Sequence, residues 1–150
     1  MTRRMKPATP AAGPFTTSNL YPTLTYDDAY AAIDFLERAF GFRRRFIVPD
    51  EHGGIRHSEI TLGDGVIMVS SSKPADKRVS PGSEGARSSG LCVFVPDPDA
   101  HYARAKAAGA TITRELQTED YGARGYMARD PEGHTWYFGD YRPGAYWDPA

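Results

Sequence analysis

DDAYAAIDFLERAFGF, spanning Asp27–Phe42, carries a start signal, an apolar period and a stop signal within sixteen residues. Asp27 or Asp28 offers an N-cap oxygen for the unpaired amide groups of a first helical turn. Ile33, Leu36 and Phe40 follow at spacings of three and four, which places them on one face of a helix. Gly41 closes the segment where a left-handed cap is needed, because a residue without Cβ meets no steric penalty at positive φ. Both ends of a short amphipathic helix are therefore marked.

Upstream of this helix, Asn19–Tyr26 reads as a strand, and Pro22 confines it to a sheet edge or a strand start because proline donates nothing to a ladder. Downstream, alternating or apolar runs predict strands at Arg43–Val48, Ile55–Leu62 and Val66–Ser70, with Gly63-Asp64-Gly65 as a tight turn. The same order then returns. Leu91–Val95 reads as a strand, Asp97-Pro98-Asp99 opens a helix through Ala108, and Gly109 stops it. Thr111–Arg114, Gly125–Arg129 and Thr135–Gly139 complete the copy, the last two joined by Asp130-Pro131-Glu132-Gly133.

Two βαβββ modules follow from this order, although few residue identities repeat. Neither closes a core alone. An α+β arrangement of two facing mixed sheets with helices outside does, and it leaves a groove between them. The expected division is a flexible tail over 1–17, a first module over 18–72, a linker over 73–89, a second module over 90–140 and a tail over 141–150. The linker KPADKRVSPGSEGARSS is rich in Pro, Gly and Ser without apolar periodicity, and the tail holds Tyr141, Tyr146 and Trp147.

Composition bounds the function. The chain has 150 residues, 40% of them hydrophobic, enough for one self-sufficient core arrangement without disulfides. Its 18 Lys+Arg against 19 Asp+Glu leave a formal net charge of -1, no footprint for nucleic acid or an anionic membrane. Val66–Val69 is far too short to span a bilayer, and no apolar run follows Arg3-Arg4 as a secretory signal requires. The expectation is a cytoplasmic protein. Its lone Cys92 excludes an intrachain disulfide and a thiolate cage. There is no Gly-rich phosphate loop, G-x-S-x-G elbow or H-E-x-x-H.

The tandem order, DDAYAAIDFLERAFGF and the ending DPEGHTWYF (Asp130–Phe138) resemble the vicinal oxygen chelate superfamily over about Leu20 to Tyr141. That superfamily includes glyoxalase I, extradiol dioxygenases, fosfomycin-resistance enzymes and bleomycin-resistance proteins. The resemblance implies a ligand or metal held in the concave groove and a homodimer. It places the metal-ligand positions of the metal-dependent members on Tyr21, Met68, Leu91 and Tyr137, none of them His, Glu or Asp. Phenols, a thioether and an alkyl group make a poor donor set for a divalent ion. The resemblance is therefore nearest to the bleomycin-resistance-like branch, with no cofactor and no metal centre expected.

Alternation along each predicted strand sorts its side chains into two faces. Opposite the apolar faces stand Tyr21, Thr23, His57, Glu59, Met68, Leu91, Val93 and Tyr137, a mixed aromatic and polar lining suited to a planar organic ligand. Three functions fit: a small-molecule-binding protein of antibiotic-resistance type, an enzyme of the same superfamily (lyase, isomerase or dioxygenase type), or a module that keeps the fold without a ligand. In the enzyme, His57 and Glu59, two residues apart on one strand, supply acid and base or displaced metal ligands; otherwise they are solvated surface. Cys92 and Trp136 take helix-facing parity and are expected in the core. His134 is expected to serve its turn, and His52 and His101 to be exposed. Arg43-Arg44-Arg45 reads as a solvated strand end, and Arg124 and Tyr126 have a side that depends on register.

Overall fold

The computed structural model describes residues 20–76, 78–82 and 89–143. The expected N-terminal tail over 1–17 lies outside them, as do 77 and 83–88 of the linker and 144–150 of the C-terminal tail. Two compact units emerge: one runs through Glu37 and resumes over Gly41–Ser80, and the other joins Arg38–Phe40 to the chain from Pro81 onward.

In the first unit, β1 (Thr23–Tyr26) leads into α1 (Ala29–Phe35), which continues as a π-helical turn over Leu36–Phe40. Then come β2 (Arg43–Pro49), β3 (Ile55–Leu62) and β4 (Gly65–Ser71). Asp28 is the N-cap, its Oδ1 accepting the Ala31 amide at 3.0 Å. Gly41 adopts a left-handed φ of 86°, and its amide returns to the Leu36 carbonyl. The sheet runs β1-β4-β3-β2, with β1 parallel to β4 and the other pairs antiparallel. α1 packs on β1, β3 and β4, where Leu24, Tyr26, Ile60, Ile67 and Val69 are buried. Ser58 breaks the apolar pattern of that face yet is buried without penalty, because its hydroxyl donates to the Val69 carbonyl at 2.6 Å.

The second unit repeats the plan with β5 (Leu91–Phe94), α2 (Pro98–Ala107), β6 (Thr111–Thr118), β7 (Arg124–Arg129) and β8 (Thr135–Gly139), in sheet order β5-β8-β7-β6. Asp97 caps α2 through the Ala100 amide at 3.1 Å, as Asp28 caps α1. Strand β6 runs four residues past its expected end at Arg114. The linker is also less featureless than expected, since Pro74–Asp76 forms a 3-10 turn beside a Lys73–Arg78 bridge. Both sheets are mixed and four-stranded, and the architecture is the expected α+β one. No helix among the described residues is long and apolar enough to cross a membrane.

An aromatic core holds the second unit. Trp136 and Phe138 are buried on the face that meets α2, and Phe40 packs against them at 5.4 and 4.7 Å between ring centroids. Tyr126 joins the same core, fully buried, which settles its side: it faces the helix. Arg124 is held by Asp99 at 2.7 Å. Asp130, also buried, accepts the amides of Glu132 and His134 and the Trp136 indole N–H at 3.2 Å. It is thus the His134 backbone that Asp130 binds in this turn.

His101 corrects the expectation of an exposed residue. It is half-buried on α2, its Nε2 is 2.8 Å from the Phe40 carbonyl and its Nδ1 is 2.7 Å from the Tyr126 hydroxyl. A carbonyl only accepts, so Nε2 carries the proton and Nδ1 accepts from Tyr126. Burial pushes the His101 pKa down and the Tyr126 pKa up, which favours this neutral pairing. Arg104 of α2 likewise donates to the Arg38 carbonyl at 3.1 Å. Two side chains of α2 thereby satisfy carbonyls that the end of the preceding helix leaves open.

Candidate functional site

Among the described residues, helix packing leaves each sheet one face without a helix, and strand register shows what stands there. Across β1, β4, β3 and β2, Thr23, Met68, Glu59 and Phe46 lie in register as one row. Across β5, β8, β7 and β6, the matching row is Cys92, Tyr137, Met127 and Arg114. The rows agree strand for strand. Each ends beyond a bulge, between Arg44 and Phe46 in the first sheet and between Ile112 and Arg114 in the second. An extra residue reverses alternation, so the bulge turns Arg114 away from the helix face that Ile112 occupies.

On the first sheet, His57 stands beside this row, its Nε2 3.3 Å from Glu59 Oε2 and its ring 5.6 Å from that of Phe46. Both side chains are partly exposed. Thr23 is exposed and Met68 half-buried, while Tyr21 precedes β1 with its side chain partly in solvent. The residues expected on this half of the lining therefore share one face or border it.

The second sheet departs from expectation at β5. Leu91 and Val93 pair in register with Trp136 and Phe138, so they stand on the helix side, opposite to Tyr137. Cys92 and Phe94 take the open face instead, and Cys92 is exposed where a core residue was expected. The cause is a shift of one residue relative to the first copy: Thr23 is matched by Cys92, so Tyr21 is matched by Gly90. In an edge strand of four residues, with apolar side chains on both faces, alternation does not reveal that shift. The thiol is exposed because Cys92 stands on the face away from α2, whose contacts lie on the opposite side of this sheet.

Tyr137 is the centre of this face. Its ring lies along the sheet over Gly125 and Gly139: a Cβ on Gly125 would sit 2.6 Å from the ring carbon Cζ, and one on Gly139 would sit 2.8 Å from the hydroxyl. Two buried glycines thus make the recess in which the ring lies flat. Its hydroxyl donates to Glu119 Oε2 at 3.0 Å. Burial above all, with hydrogen bonds to Tyr121 and Glu119, pushes the phenol pKa up, so it stays a donor.

Glu119 gathers the rest. Arg114 grips both of its oxygens, Nη1 to Oε1 at 3.0 Å and Nη2 to Oε2, and Gln117 adds a bond at 3.1 Å. The Glu119 side chain is only 8% exposed. Arg114 foremost holds its carboxyl below the usual carboxylate range. The Arg114 guanidinium also lies 5.7 Å from the Tyr137 ring centroid. A carboxylate with this many donors is a poor base; it fixes the arginine and the phenol in place. Alternation does not find Arg114, because the bulge after Ile112 reverses its side, and Gln117 and Glu119 lie past the expected strand end at Arg114. The one signal for them was the charged and amide residues of RELQTE, residues 114–119.

Divalent-metal chemistry does not fit the donors at these positions. In the first unit they are a phenol and a thioether, Tyr21 and Met68; in the second they are Gly90, in place of Leu91, and the Tyr137 phenol, which already serves Glu119. Among the described residues, no three His, Cys, Asp or Glu side chains gather as a metal-binding group.

Known proteins resemble most of the chain. An uncharacterized protein of Mycobacterium bovis is 33% identical over 123 residues, 80% of this chain and 81% of its own length. The crystal structure of TioX from Micromonospora sp. ML1 is 35% identical with a TM-score of 0.63, covering 81% of this chain and 97% of that one. The fosfomycin resistance protein FosX from Mesorhizobium loti shares the fold at 14% identity, with a TM-score of 0.61 over 85% of this chain and 94% of its own. A family model described as Glyoxalase/Bleomycin resistance protein/Dioxygenase superfamily matches residues 20–138.

Proposed function

The chain belongs to the glyoxalase/bleomycin resistance protein/dioxygenase superfamily, and we propose that it is a binding protein of that family which holds a small planar organic molecule without a metal centre. The observation that carries this reading is the recessed Tyr137 ring. It lies flat over two glycines, with its hydroxyl fixed by a buried carboxylate. A ring held this way presents a π surface whose ordering cost is met before the ligand arrives. Met127, 37% exposed, and Cys92 flank it with polarizable sulfur. Drug sequestration suits such a platform, and the family's description itself names bleomycin resistance proteins.

Thermal-shift screening with planar aromatic antibiotics, quinone and quinoline types included, tests the reading. A ligand at a hundredfold its Kd adds about 2.7 kcal/mol to stability, a readily measured shift. Tyr137→Ala is expected to weaken any ligand found by tenfold or more while the purified variant still unfolds cooperatively. A full screen without a shift, or a ligand indifferent to Tyr137→Ala, would overturn it. A homodimer goes with this reading, and sedimentation velocity decides it.

An enzyme is the second reading, favoured by the 3.3 Å His57–Glu59 contact on the open face of the first sheet. There Glu59 would orient the imidazole and His57 would move a proton to or from a bound substrate. Once a turnover assay exists, His57→Ala and Glu59→Ala should lower kcat together; unchanged rates in both remove this role.

A further inference from the structure

Phe94 shares the open face with Tyr137, one row further along the strands, and is in register with Gly139. Over its ring lies the guanidinium of Arg142, 3.6 Å from the centroid. Arg114, the other arginine against an aromatic ring on this face, is neutralised by Glu119. Arg142 has no carboxylate partner among the described residues. It is exposed, yet its place is set by stacking, since a guanidinium is planar, weakly hydrated and at home on an aromatic face. Among the described residues, a planar cation without a carboxylate thus stands over a ring that shares its face with the recessed phenol, while the Arg114–Glu119 pair is internally balanced.

We propose that Arg142 is the specificity-determining residue of this site and that the ligand is an aromatic anion, with an aryl carboxylate or an acidic phenol beside its planar ring. This rests on the binding reading above and narrows it from planar molecules to anionic ones. The ring lies on Tyr137, and the anionic group meets the Arg142 N–H edge, which remains free to donate while the guanidinium face stays on Phe94. An Arg fork pairs with a carboxylate through two parallel hydrogen bonds, a geometry that lysine does not reproduce. A neutral ring of the same shape gains the stacking but not the ion pair.

The test compares 2-naphthoate with 2-naphthamide, which share a ring system and differ in charge, by calorimetry on the full chain at low and moderate salt. The expected result is at least tenfold tighter binding of the naphthoate, with an advantage that shrinks as salt rises. Arg142→Gln should erase the preference by weakening the naphthoate and leaving the naphthamide within about twofold, and Arg142→Lys should restore only part of it. Phe94→Leu, which removes the stacking surface, should reduce the preference without abolishing naphthamide binding. Equal affinity for both probes in the wild type, or a preference that survives Arg142→Gln, overturns the aromatic-anion proposal while the planar-ligand reading stands. Binding of neither probe also overturns it, and the broader antibiotic screen then decides separately whether any planar ligand binds.

Discussion

Asp50 and Glu119 begin matching turns, Asp50 between β2 and β3 and Glu119 between β6 and β7, and each backbone amide closes its turn on the residue four further along. The shorter Asp50 carboxylate curls back to accept the His52 and Gly54 amides at 2.8 and 2.7 Å. Glu119 is one methylene longer and reaches out to Arg114 and Tyr137. Its charge is favoured in the fold, because Arg114 holds its carboxyl below the ordinary 4.5. A depressed carboxylate contributes stability fully above its unfolded pKa and loses it as the pH falls toward the folded one. Glu119→Gln is therefore expected to cost most at pH 7, where it leaves Arg114 without a counter-charge. The deficit should shrink below the ordinary 4.5 as the wild-type carboxylate also becomes neutral. Urea unfolding of both proteins at pH 7 and at about pH 3.5 checks this; an equal deficit at both would sink it.

Helix α2 (Pro98–Ala107) supplies more than a cover for its sheet. Through His101 and Arg104 it satisfies the Phe40 and Arg38 carbonyls. The neutral His101 ring is the folded form, since burial pushes its pKa below the ordinary 6.5. Its contribution is fully present above that value and is lost as the pH falls below it. Imidazole nitrogen NMR should find the proton on Nε2 at pH 7.5 and titration beginning only below 6.5. An Nδ1–H tautomer, or a raised pKa, would refute the arrangement. Strand β6 makes the complementary point. Its two irregularities, after Ile112 and after Arg114, are what put Arg114 and Gln117 on the open face. Strict alternation is a good guide to a regular strand such as β3 and fails at the first bulge, because one extra residue inverts every later side chain.

Across the whole molecule, the boundary between units does not follow the boundary between repeats. Phe40 ends the first repeat's helix, yet it is fully buried among Trp136, Phe138 and His101 of the second unit. Phe40→Ala should cost about 3–5 kcal/mol by leaving a cavity in that aromatic core. Hydrogen exchange should then lose protection first in β7 and β8, whose Tyr126, Ala128, Trp136 and Phe138 share the core. If the loss were confined to β1–β4, the assignment of Phe40 to the second unit would be wrong. The family membership and the α+β plan were legible because caps, glycine stops and apolar periods are local signals. The DPEGHTWYF ending was equally local: Asp130 serves residues two, four and six positions on.

The two βαβββ copies, both helix starts to within a residue or two, both helix stops and the faces of β1, β3, β4 and β8 are written locally in the chain, since each depends on residues within a few positions. Tertiary contacts alone set Cys92 and Phe94, not Leu91 and Val93, facing outward, pair His101 with Phe40 and Tyr126, and anchor Tyr137 on Glu119. Those outcomes depend on register between strands, on a bulge and on which face of a sheet a helix covers. They are contacts between residues far apart in the chain, and no local pattern encodes them.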